Sequence, residues 1–204
     1  MTGMERTSSQ SGSVRQVVLT ALLALGCVLV GAAPASAVEL AQRDGRGDFW
    51  HDVRPEGDPV QVEPLFGNPD LWRVVYRHTD NAVKVRMAMA DVTRFGYWQF
   101  DVHFKTDDGL NRRIKLFRAD GTPERLAFVK WSGDDQCDIS WDVDLSDDVV
   151  TVSVPRRCLE GPDTVAFRSA TNFWPTSDEE FPFRDIAGTD GFDFTGWSTP
   201  LARD

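Results

Sequence analysis

Histidine and cysteine are scarce: three of each stand among 204 residues. There is no Gly-x-Ser-x-Gly elbow, so the usual presentation of a serine nucleophile is missing. No His-x-x-x-His or Cys-x-x-Cys spacing supports zinc. Haem would need axial ligands, and the nominees, His78 with Met87 or Met89, fall on apolar strand faces. Lysine is rare as well, four against 18 arginines. Bases are outnumbered by acids, 22 to 32, for a formal net charge of −10. A surface that acidic repels phosphate backbones, which argues against nucleic acid as a partner.

Only one long apolar run exists, Val17 to Ala33, preceded by Arg6 and Arg15 and followed by Pro34-Ala35-Ser36-Ala37. A basic start, an apolar centre and small residues before Val38 are the pattern of a cleaved signal peptide, residues 1–37. The sequence therefore predicts an exported chain, extracellular or wall-associated and not membrane-embedded once cleaved. The leader holds Glu5, Arg6 and Arg15, so the remainder carries 31 acids against 20 bases. Cys27 also leaves with the leader, and Cys137 and Cys158 remain. Two cysteines in an oxidising compartment predict a disulfide.

The pattern that organises the rest is Tyr97 to Thr106. Trp98, Phe100, Val102 and Phe104 alternate with Gln99, Asp101, His103 and Lys105. A period of two is a strand with one dry face and one wet face. Trp72, Val74, Tyr76 and His78 repeat it, then Val83, Val85, Met87 and Met89, then Ile114 and Leu116. Pairing His78 with Val83 and carrying the register on predicts a four-stranded antiparallel meander. In it Trp72 faces Met89, Met89 faces Trp98, and Phe104 faces Ile114. Arg125 to Trp131 reads as a fifth strand of undecided sheet. Ile139 to Leu145 and Val150 to Val154 form a second hairpin. With Leu145 facing Val150, Cys137 falls directly opposite Cys158, and closing that loop contributes about 3 kcal/mol. Thr164 to Asn172 is the last clear strand. The expected fold is a single all-β antiparallel sandwich of eight or nine strands over residues 71–204, after an irregular lead-in at 38–70.

Candidate functional residues are few. Asp44, Asp48 and Asp52 recur every fourth residue in the lead-in, a hint of calcium. The alternating carboxylates of an EF-hand are absent, and a solvated lead-in is the favoured reading, with no metal ligand assigned. Arg46-Gly47-Asp48 spells an integrin-type tripeptide, a triplet that chance supplies often. Asp107-Asp108, Asp134-Asp135 and Asp147-Asp148 lie in turns, where aspartate is expected anyway. Tryptophan is abundant, seven residues in all. Trp72, Trp98 and Trp141 are assigned to the core; Trp50, Trp131, Trp174 and Trp197 are not. Trp174 with Asp178, Glu179 and Glu180, in a loop running from Phe173 to Arg184, would make an aromatic-acidic patch suited to hydroxyls or a cation; the favoured alternative is that the four rings cap the open ends of the sandwich.

The runs RGDFW, GNPD, VYRHTDNAVKVRMAMADVTR, TDDG, VTVSVPRRCL and the closing GWS span Gly45 to Ser198. On these the chain resembles a group of small secreted actinobacterial β-sandwich proteins of unknown function. More remotely it is similar to DOMON-like and family-nine carbohydrate-binding modules, and that resemblance implies sugar or haem binding. It carries over no catalytic residue, and the tryptophan pair of the sugar-binding modules has no match here. The expectation is a non-enzymatic, cofactor-free binding module for an extracellular glycan or envelope component. The alternatives are a secreted polysaccharide hydrolase and a structural or protein-interaction domain.

Overall fold

The computed structural model describes residues 39–51, 57, 60, 67–93, 95–118, 128–132, 137–176, 182–188 and 196–204, with backbone alone at 128–131. The leader, Asp52 and Asp178 to Glu180 fall outside the described residues, as do Phe192 and Phe194. Twelve strands are present among the described residues. They are β1 (Glu39–Arg43), β2 (Trp50–His51), β3 (Asn68–His78), β4 (Ala82–Asp91), β5 (Tyr97–Thr106) and β6 (Asn111–Arg118), followed by β7 (Phe128–Trp131), β8 (Ser140–Asp144), β9 (Val149–Pro155), β10 (Thr164–Trp174), β11 (Phe183–Ile186) and β12 (Leu201–Ala202).

Two antiparallel sheets share these strands. The smaller runs β1-β3-β4-β9-β8; the larger runs β2-β11-β10-β5-β6-β7, with β12 also on β10. Between them lie the alternating apolar residues, including Val74, Tyr76, Val83, Val85, Met87, Phe100, Val102, Phe104, Ile114, Val150, Val152 and Phe167. Each such side chain, fully withdrawn from water, contributes about 1.5–3 kcal/mol. His78 closes one end of the core, fully buried, its Nδ1 3.2 Å from the Leu201 carbonyl oxygen. Among the described residues no helix is long and apolar enough to cross a membrane.

The sandwich is the expected one, but its neighbours differ from the meander. The β3–β4 register holds from His78↔Val83 to Val74↔Met87. A bulge then places Leu71, not Trp72, against Met89. Leu71 is fully buried and Trp72 is exposed: the extra residue reverses the facing that strict alternation assigns. β4 does not pair with β5. It pairs with β9, and β5 lies between β10 and β6. The link at 92–96 carries the chain across the ~10 Å between sheets, turning at Gly96 (φ +74°), where a Cβ would strike the Phe173 ring. Met89 and Trp98 thus belong to opposite sheets of one core. The β5–β6 and β8–β9 ladders are both offset by two residues from expectation, with Phe104↔Arg112 and Val143↔Val150. An offset of two keeps every residue on its face, which is why alternation alone does not detect it.

Three further corrections concern the chain's ends and loops. The lead-in is not wholly irregular, since β1 pairs with β3 and β2 with β11. The Phe173 to Arg184 segment is not all loop, because Phe173 and Trp174 finish β10 and β11 begins at Phe183. Cys137 and Cys158 lie within disulfide distance, with Cα atoms 5.8 Å apart. However, Cys158 sits in a 3-10 turn (Arg156–Leu159) beyond β9, so the pair is not a rung of the hairpin ladder. β7 joins the larger sheet beside β6.

Candidate functional site

Two buried polar constellations stand out, one on each side of the larger sheet. The first begins where β1 ends. The Asp44 amide extends the ladder by donating to the Trp72 carbonyl oxygen (3.2 Å). The chain then leaves the smaller sheet and turns at Gly47 (φ +75°), a conformation that glycine adopts without steric cost. That turn lets the Gly47 amide donate to Asp70 Oδ2 (3.0 Å). Arg46 is held over the exposed Trp72 ring, 4.2 Å from its centroid, so the Arg46-Gly47-Asp48 tripeptide lies against the surface, with Arg46 and Gly47 exposed and Asp48 half-buried.

Asp70 stands at the bulged start of β3, its amide capped by Asn68 Oδ1 (3.0 Å). Asp185 projects from β11 on the same side as buried Phe183. Its Oδ2 accepts from the Leu71 amide (2.5 Å) and its Oδ1 from the Ile186 amide (2.7 Å). One carboxylate thereby links the two sheets. Oxygens of Asp48, Asp70 and Asp185 all lie within 4.8 Å of one another. Asp70 and Asp185 are 4 % and 2 % exposed, and Asp48 is half-buried. Among the described residues none of Asp44, Asp70 and Asp185 is ion-paired. Burial raises all three above the ordinary carboxylate range. Asp44 reaches about 7, with the Asp48 charge adding to burial. Asp185 reaches about 8, with Asp44 and Asp48 adding. In Asp70 burial outweighs the Gly47 and Trp72 hydrogen bonds and the Arg46 charge.

The second constellation is on the outer face of the larger sheet, the face read from sequence as wet. Asp101 is 1 % exposed there. Arg113 grips its Oδ1 through Nε (3.1 Å) and a terminal nitrogen (2.9 Å). Gln99 Nε2 (2.7 Å) and Asn172 Nδ2 (3.1 Å) donate to its Oδ2. His103, expected in solvent, is half-buried, and burial aided by the Arg113 charge lowers it to about 4.

The four tryptophans left out of the core separate. Trp50 on β2 is half-buried opposite Arg184, which stands opposite Asn172, which stands opposite Gln99. Trp174, two residues beyond Asn172 on β10, pairs with Tyr97, and both are half-buried. Trp50, Tyr97 and Trp174 therefore share one end of the outer face with the polar row. Trp197 lies at the other end, its ring 4.1 Å from the Arg168 guanidinium and 6.0 Å from Lys105 Nζ. Six residues of strand, about 20 Å, separate Arg168 from Trp174. Trp131 ends β7 opposite Ile114, away from the other three.

Of the lead-in acids, Asp44 and Asp48 join a cluster, but with Asp70 and Asp185 rather than as a solvated run. Sequence reasoning did not find Asp70 and Asp185. The available signal was an acid at the apolar parity of Phe183-Arg184-Asp185-Ile186. On the outer face of the smaller sheet, Arg73, Val75, Arg77, Lys84, Arg86 and Glu39 border a groove of about 360 Å³. No protein-family model matches this chain, and no curated protein matches it.

Proposed function

We propose that the protein is an exported glycan-binding module whose ligand lies on the outer face of the larger sheet. The observation that supports this most is the grouping of half-buried Trp50, Tyr97 and Trp174 at one end of that face. Aromatic rings stack on the apolar faces of sugars, while the buried Gln99 and Asn172 amides, committed to Asp101, hold the strands that carry the rings. A sheet holds the rings at fixed spacing, so little ordering entropy is lost on binding. The signal-like leader and the cysteine pair at disulfide distance support export.

The test is a polysaccharide panel with wild type, Trp174→Ala and Trp50→Ala. Binding to a neutral glycan, weakened about tenfold or more in each variant (about 1.4 kcal/mol), supports the proposal. Hydrolysis of the glycan would replace it with the hydrolase reading, and binding to none would favour an interaction domain. A second reading rests on the basic groove of the smaller sheet, which suits an anionic envelope polymer. Salt-sensitive binding lost in Arg73→Glu with Arg77→Glu, and retained in Trp174→Ala, would favour that groove.

A further inference from the structure

We propose that Asp48, Asp70 and Asp185 bind one divalent cation, of the Ca²⁺ type. The donor set is all oxygen, with no histidine or cysteine, which suits a hard ion. Ca²⁺ takes carboxylate oxygens at about 2.4 Å, so two ligands on opposite sides of the ion are about 4.8 Å apart. The three aspartates bring oxygens within 4.8 Å of one another without any rearrangement of the strands. Mg²⁺, with bonds of about 2.1 Å and a strict octahedron, requires a tighter set.

Proximity of acids alone would not carry this. The independent observation is the state of Asp70. Its side chain is 4 % exposed, and although the Gly47 amide donates to Oδ2 and Trp72 also bonds the carboxylate, the buried Oδ1 has no donor in hydrogen-bonding geometry. A buried side-chain oxygen normally accepts at least one hydrogen bond. Asp101, equally buried in the same domain, receives four. An acceptor left bare beside two further carboxylates is what a cation site looks like without its ion. Asp44, half-buried, stands next to the set as a fourth acid.

The ion would tie together three distant segments: the β1–β2 link through Asp48, the smaller sheet through Asp70 and the larger sheet through Asp185. Its consequence is to fix the lead-in on the sandwich. This does not depend on the glycan reading.

The test uses the full chain, purified and stripped with EDTA, titrated calorimetrically with CaCl₂ and MgCl₂. The expected result is one Ca²⁺ per chain, bound more tightly than Mg²⁺, with a rise in Tm. Asp70→Asn and Asp185→Asn should each weaken binding at least tenfold while circular dichroism remains that of the folded sheet. If either variant fails to fold, Tb³⁺ luminescence of the wild type replaces it. Emission sensitised by tryptophan, displaced by Ca²⁺ and diminished in Trp72→Phe, would place the ion beside Asp70. No binding of Ca²⁺ to folded wild type, tighter binding of Mg²⁺, undiminished binding in the folded Asn variants, or Tb³⁺ emission unaffected by Trp72→Phe would overturn the assignment.

Discussion

Asp101 and Asp70 are equally hidden from water, yet their surroundings are opposite. Asp101 is gripped by a guanidinium and two side-chain amides, so each oxygen has donors and the charge has a counter-charge. Asp70 shares its site with Asp48 and Asp185, and one of its oxygens is bare. The first arrangement is internally balanced and serves the fold. The second gathers acids, and of the cations it is the Arg46 charge that acts on Asp70.

The largest expected effect comes from removing the balanced acid. Asp101→Ala strands Arg113, Gln99 and Asn172. Breaking a buried pair costs 3–5 kcal/mol, and because the Arg113 side chain is 38 % exposed we expect the low end, about 3 kcal/mol, by urea unfolding. At the other site the sign reverses. In EDTA, Asp70→Asn keeps an oxygen for the Gly47 amide and offers an NH₂ to the neighbouring carboxylates, so it should stabilise by about 1 kcal/mol. A loss there would break the comparison.

The pH dependence should also differ in sign. Asp44 and Asp185, raised to about 7 and about 8 from an ordinary 3.8, hold protons in the folded state that the unfolded chain has released. Their contribution is full below pH ~4 and is lost as pH rises through 7 to 8. His103, lowered to about 4 from 6.5, contributes fully above pH ~6.5 and loses that contribution as pH falls toward 4. Stability curves of metal-free Asp185→Asn and of His103→Gln against wild type separate the two limbs. The acid limb should flatten in His103→Gln and the alkaline limb in Asp185→Asn. The smallest effect is Asn172→Ala, about 1 kcal/mol, since Asp101 keeps three other donors. In the Asp101→Ala background that loss should vanish, as a double-mutant cycle would record.

Much of the fold was legible because burial leaves a period of two in the sequence. Val83, Val85 and Met87 declared their face, and so did Phe100, Val102 and Phe104. What alternation does not encode is the neighbour: the same pattern serves β4 whether β5 or β9 lies beside it. A bulge is equally silent, and Trp72 was assigned inward for that reason. Asp44 and Asp48 drew notice through their spacing, but Asp70 and Asp185 join them only through the folded chain, from β3 and β11. Asp101 escaped because its parity is that of a wet face, and nothing local reveals that this face is covered.

The most direct measurement is the thermal unfolding of EDTA-stripped wild type and Asp70→Asn, each with and without CaCl₂ at pH 8. If Asp70 holds the ion, Ca²⁺ raises the wild-type Tm and raises that of the variant much less. Equal responses of the two proteins, or no response from either, would contradict the account.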